Sequence, residues 1–221
     1  MTKLDQLIEP LRHSPRLPEV VNLLQRQMAE ERERRRVFYQ EITPEQKIEF
    51  IDGEIVLHSP ARNRHLDVTL RLATLLKSYV SLRNLGTVKV EKCLCVFPRN
   101  DYEPDVVFFG AEKAATLGPE TLNFPVPDLI VEVLSESTEE RDRGVKFEDY
   151  AANGVGEYWI VNSDTEVLEQ YLLKDDGSYD LVLKSSSGSV RSDVIAGFEL
   201  AIDAIFDEAK NLEALRAMMM R

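Results

Sequence analysis

The sequence predicts a mixed α/β fold: a central mixed β-sheet flanked by helices, with an antiparallel β-meander added to it and helices at both termini. Three observations carry this. A long amphipathic stretch, 63–82, repeats Leu66, Leu70, Ala73, Leu76 and Val80 at helical spacing between strand-like runs. An apolar run at 128–134 is followed by a helical pattern at 139–152 and another apolar run at 157–161. Two further strand-like runs, 167–173 and 179–184, are joined by Asp175, Asp176, Gly177 and Ser178. Helices alternating with strands and ending in a meander suit a sheet with helices packed on it.

Taken in order, residues 1–36 read as a helical N-terminal extension. Leu17, Pro18 and Glu19 make a helix start, and the helix runs through Val20, Leu23, Leu24, Gln27 and Met28 into a mixed charge run, 30–36, that suits a solvated surface. The main domain spans 37–208. Residues 42–47 suit a short turn or helix, and 49–57 a hairpin with Asp52 and Gly53 at its turn. After the 63–82 helix, Asn84 and Gly86 provide a stop. Segments 87–97, 104–109 and 128–134 are strand-like, and 111–127, with Gly118, Pro119, Pro125 and Pro127, is a loop. Phe198, Glu199 and Leu200 form a short last strand, and 209–221 is a C-terminal helix.

Composition narrows the class. With 43% hydrophobic and 30% charged residues over 221 positions, the chain is an ordinary globular protein able to bury a core. No apolar run approaches the roughly 20 residues that span a bilayer, and no secretory leader is visible, so the expectation is a cytoplasmic protein with no membrane partner. Cys93 and Cys95 stand two apart on one strand, too stretched for an unstrained disulfide, and His13, His58 and His65 show no zinc spacing around them. The net charge of −12 opposes broad field-driven binding to nucleic acid but leaves room for a local basic groove.

Glu132 is the informative position. It interrupts the apolar run Leu129, Ile130, Val131, Val133, Leu134, where a carboxylate is costly unless a cation, a metal or hydrogen bonds compensate it. Strand alternation puts Glu132 on a face with Ile130 and Leu134, so its polar partners come from elsewhere. Asp105 opens a second apolar run and Glu54 lies in the hairpin. Three carboxylates from three elements could hold Mg²⁺ or Mn²⁺, and a metal-bound water is acidic enough to attack a phosphodiester. Asp142, Lys146 and Tyr150 recur every four residues on one helix face, where Lys146 is the candidate catalytic cation. Each has a plainer reading. Asp105 could cap a turn, Glu54 could lie on the surface, Lys146 could pair with Asp142 in solvent, Glu132 could sit in a structural ion pair, and His65 could cap or pack. No nucleophilic triad or phosphate-binding glycine loop is present.

The order of these residues resembles a known family. Phe50, Ile51, Asp52, Gly53 and Glu54; Ser59 and Pro60 with His65; Glu103, Pro104 and Asp105; the run from Asp128 to Ser135; Ser137 and Thr138; Asp142 and Arg143 with Lys146 and Tyr150; and Gly154 to Val161 are similar to the series of the Uma-two endonuclease family, within the PD-(D/E)XK, restriction-endonuclease-like superfamily. The resemblance spans about 38–208 and implies a central mixed sheet between helices, and Mg²⁺-dependent cleavage of nucleic acid, DNA before RNA. It implies Asp105, Glu132 and Glu54 as metal ligands, joined by the backbone carbonyl of Val133. Asp142, Tyr150 and His65 would then serve as substrate or supporting residues. The superfamily pattern expects lysine where this chain has Leu134, and Lys146 is the replacement the resemblance offers. A homodimer follows from analogy with nucleases that pair to address two strands. The competing readings are a catalytically inactive nuclease-fold module for interaction and a phosphohydrolase for small substrates.

Overall fold

The computed structural model describes residues 3–43 and 46–220. The turn expected at 42–47 includes Pro44 and Glu45, which lie outside the described residues.

The chain begins with α1 (Lys3–Arg12) and α2 (Leu17–Glu41), followed by the hairpin β1 (Ile48–Ile51) and β2 (Glu54–Leu57). The turn is the expected Asp52-Gly53, both with positive φ. Next come α3 (Asn63–Leu82), β3 (Gly86–Val90), β4 (Leu94–Val96), β5 (Asp101–Tyr102) and β6 (Val106–Gly110). The segment expected as a loop contains α4 (Ala111–Ala114) and β7 (Asn123–Phe124). Then follow β8 (Leu129–Val133), α5 (Glu139–Arg143), α6 (Val145–Ala152) and the meander β9 (Glu157–Asn162), β10 (Val167–Leu173) and β11 (Tyr179–Ser185). A ribbon, β12 (Ser189–Arg191) and β13 (Glu199–Ala201), leads to α7 (Asp203–Phe206) and α8 (Glu208–Met219).

The expected central sheet is present, six strands in the order β11-β10-β9-β8-β6-β3. It is mixed because β8 and β9, joined through α5 and α6, run parallel while its other neighbours are antiparallel. A second sheet of five strands, β2-β1-β5-β4-β7, stands beside it. The single strand expected at 87–97 is what divides between them. Glu91 and Lys92 both take positive φ, so the chain leaves the large sheet after β3 and enters the second at β4. The helix expected at 139–152 is likewise broken, at Gly144, whose backbone is non-helical.

Alternation along β8 sorts its side chains between two cores. Leu129, Val131 and Val133 pack with α3, α7 and α8. Ile130 and Leu134 pack with the second sheet and α6, against Cys95, Tyr102, Tyr150 and Tyr158. Glu132 lies on this second side, in the layer between the two sheets. A third, smaller cluster joins Phe38 of α2 to Ile48, Phe50 and Leu94. Thus α2 runs unbroken through residue 36, where the extension was expected to end, and its last turns belong to the core.

Candidate active site

Four stretches of chain converge on Glu132: the start of β1, the bend before β6, the end of β8, and the pair α5 and α6. Glu132 is 3% exposed. Its Oε1 accepts from Lys146 Nζ at 3.0 Å and from Tyr150 OH at 2.9 Å. The break at Gly144 leaves Asp142 on α5 and Lys146 and Tyr150 on α6, yet all three reach the site. Lys146 is buried, with Glu49 Oε1 at 3.0 Å and Asp142 Oδ1 at 3.2 Å as well as Glu132. It is therefore not the solvent-facing lysine of the plainer reading, but the centre of three carboxylates.

These neighbours set the ionisation of the group. Burial alone would lower the Lys146 ammonium, but Glu132, Glu49 and Asp142 outweigh it and hold its pKa well above the ordinary value. Burial raises Glu132 to about 8; Lys146 opposes the rise, while the charges of Asp142, Asp105 and Glu49 add to it. Glu49 goes the other way, to about 2: burial raises it, but Lys146, His58 and the Glu103 backbone N–H prevail. One carboxyl of the group thus holds its proton near neutral pH while another never does.

Asp105 stands beside this cluster. Its Oδ2 accepts from the Val133 backbone N–H at 2.8 Å, which ties the bend before β6 to the residue after Glu132. Its Oδ1 meets Lys47 Nζ at 2.9 Å and His65 Nε2 at 3.3 Å. Burial raises its pKa, but His65, Lys47 and the Val133 N–H together push it far below the usual carboxylate range. His65 is raised in turn, Asp105 overcoming the effect of burial. Asp105 is thus a permanently charged acid, not merely a turn cap.

Glu54 is not brought to this group. It is exposed at the start of β2, opposite Ile51. The hairpin acid that faces Lys146 is Glu49, fully buried on β1 with His58 Nε2 2.9 Å from its Oε2. Sequence reasoning missed it, although Ile48, Phe50 and Ile51 around it are the same signal that marked Glu132. It also missed Lys47 and Glu91. Among the described residues, the set placing three candidate metal-ligand atoms within 4.8 Å of one another is His65, Glu91 and Asp105, not Asp105, Glu132 and Glu54. One imidazole with two carboxylates fits Mn²⁺ better than Mg²⁺, which favours all-oxygen coordination.

The family model described as "Putative restriction endonuclease", Uma2, matches residues 29–203. The chain belongs to the Uma2 family. The match begins inside α2 and reaches α7, so it takes in every residue of the site. An uncharacterized protein of Synechocystis sp., slr1290, is 28% identical over 162 residues, covering 73% of this chain and 84% of that protein. The crystal structure of a putative nuclease belonging to DUF820 from Anabaena variabilis superposes with a TM-score of 0.67 at 16% identity, over 79% of this chain and 96% of the other. At that identity the likeness shows the fold, a nuclease fold with mixed sheets flanked by helices. Family and fold together carry a nuclease-like function for this Uma2 protein. Among its described residues no helix is long and apolar enough to cross a membrane.

Proposed function

We propose that this Uma2 protein hydrolyses phosphodiester bonds in nucleic acid, DNA in the first instance, with a divalent cation. The observation that carries the reading is the junction of Asp105 and Glu132 through the Val133 N–H, with a charged acid on one side and a proton-holding acid on the other. Asp105, His65 and Glu91 would hold Mn²⁺ or Mg²⁺ on one side. Glu132 would join from the other through Oε2, since Lys146 and Tyr150 both bind Oε1, and the Val133 carbonyl would be the backbone ligand. When bound, such a cation makes water more acidic and neutralises charge on the phosphate. The chain's own part is to fix the acids. Lys146 and Tyr150 orient Glu132, Asp142 helps to fix Lys146, and Glu132 can exchange a proton near neutral pH.

The test is cleavage of plasmid DNA and of RNA with Mn²⁺ or Mg²⁺, by wild type and by Glu132→Gln. Loss of metal-dependent cleavage in the variant supports the reading; undiminished cleavage sinks it. A second reading, an inactive nuclease-fold module, is favoured by the burial of Lys146 among three carboxylates, and a wild type without turnover would support it. Self-association as a dimer also belongs to the proposal, with Val21, Leu24 and Met28 exposed along α2 as its apolar face. A monomer mass in solution scattering would count against it.

A further inference from the structure

We propose that Lys47 is the cation that contacts the scissile phosphate, and that Lys146 is a positioning residue. This deepens the nuclease reading and rests on it.

The two lysines stand in opposite situations. The side chain of Lys146 is 2% exposed and held by three carboxylates between 3.0 and 3.2 Å away. A phosphate reaching it would bring further negative charge into a buried site already crowded with three carboxyl groups, without water to screen it. The side chain of Lys47 is 21% exposed and, among the described residues, makes one ion pair, to Asp105 Oδ1 at 2.9 Å. Glu132 also acts on its charge from nearby. Leu134 supplies no charge from β8, so Lys47 brings one from the opposite sheet.

The backbone at Lys47 is fixed by hydrogen bonds, and its ammonium is held by an ion pair that a competing cation can displace. Ile48 N–H donates to Glu103 Oε2 at 3.0 Å and Glu103 N–H donates to Glu49 Oε1 at 2.9 Å, a reciprocal clasp between the start of β1 and the segment leading to Asp105. The Lys47 carbonyl also accepts from His58 N–H at 3.1 Å. The four-carbon stem is therefore rooted beside Asp105, with rotatable bonds that let its tip turn to another acceptor once Asp105 is taken. In the metal-free chain its ammonium sits on Asp105 Oδ1. A divalent cation held by Asp105 would compete for that oxygen, and the displaced Lys47 ammonium would stay beside Asp105, available to a negatively charged group. A phosphoryl oxygen is the natural acceptor, and the contact is electrostatic, with no proton transferred.

The experiment compares wild type, Lys47→Ala and Lys146→Met. Single-turnover cleavage with Mn²⁺, Mn²⁺ affinity by calorimetry, melting temperature, and cleavage with added ethylammonium are measured for each. For Lys47→Ala we expect cleavage to fall roughly 100-fold or more, as when one donor to developing charge is removed. Mn²⁺ should bind several-fold tighter because its competitor is gone, melting should stay near wild type, and ethylammonium should restore part of the rate. For Lys146→Met, cleavage and melting should fall together with no rescue, because the space is closed to a soluble amine. A Lys47→Ala protein that cleaves at the wild-type rate overturns the assignment, as does one that loses Mn²⁺ binding or gains nothing from the amine. A wild type inert on both DNA and RNA overturns the nuclease reading and this assignment with it, an outcome distinct from an active wild type with an active variant.

Discussion

Replacing Lys146 with methionine removes one charge and keeps nearly the same volume, so packing is left out of the comparison. What remains is the cost of three buried carboxylates without their cation: Glu132 and Glu49 each 3.0 Å from Nζ, and Asp142 at 3.2 Å. The variant can relieve that repulsion by taking up protons. Glu132, already raised to about 8, does so at little cost. Glu49 begins from an ordinary value of 4.5, so protonating it at pH 8 costs about 5 kcal/mol, at about 1.4 kcal/mol per unit, and near pH 5.5 only about 1.4 kcal/mol. Breaking a buried ion pair by other routes costs about 3–5 kcal/mol, the same range. The sign follows from linkage. In the variant the native carboxyls have raised pKa values, so native stability is retained below their unfolded values and lost as pH rises through the folded ones. The variant should therefore lose about 3–5 kcal/mol against wild type at pH 8 and about 1–2 kcal/mol near pH 5.5. Urea unfolding at the two pH values reads both numbers. A loss below about 1 kcal/mol at pH 8, or the same loss at both pH values, would refute the view that Lys146 neutralises this cluster.

Three further outcomes follow from the geometry. Mn²⁺ should raise the melting temperature of wild type and leave Asp105→Asn nearly unmoved, since a ligand of the folded state stabilises by mass action; without metal the variant should melt lower, because Lys47, His65 and the Val133 N–H already compensate the Asp105 charge. An Asp105→Asn protein that still responds to Mn²⁺ would remove Asp105 from the metal site. Arg35→Ala should cost about 3–5 kcal/mol and expose α2 to limited proteolysis, because Arg35 binds both oxygens of the fully buried Asp101 and the carbonyls of Phe97, Pro98 and Asn100; unchanged cleavage sites would contradict this. Glu169 is pulled down to about 2, since bonds from Arg143, Tyr171 and Lys184 outweigh burial; its contribution is present above about 4.5 and lost as pH falls toward 2, so Glu169→Gln should flatten acid unfolding in that window, and an identical acid profile would count against it.

The parts of the fold that could be read from sequence are those governed by local rules. The Asp52-Gly53 turn, the 63–82 helix and the meander were legible because turn chemistry and periodicity act within a few residues. Glu132 was legible because a carboxylate among apolar neighbours is costly wherever the strand sits. Glu49 carries a weaker form of that signal among Ile48, Phe50 and Ile51, but Glu54 also borders an apolar run, Ile55 to Leu57, so the signal does not separate the two. Both acids lie in one hairpin, and only the second sheet decides between them: β1 is paired on both sides, with β2 and β5, while β2 is an edge strand. Sequence does not say which arm of a hairpin will be covered. The division of 87–97 between two sheets was hidden for a related reason, since it rests on positive φ at Glu91 and Lys92, residues that carry no turn signature. Lys47 was invisible because a lysine before a strand is ordinary, and its meaning comes from Asp105, 58 residues away.

That separation bears on when the protein can act. Lys47 and Glu49 leave the ribosome early, Asp105 and Glu132 later, and Lys146 and Tyr150 later still, yet Glu132 depends on the last pair for its position. Contacts between such distant positions form only after the intervening chain has been looped back at an entropic cost. A growing chain therefore holds isolated acids and no assembled centre.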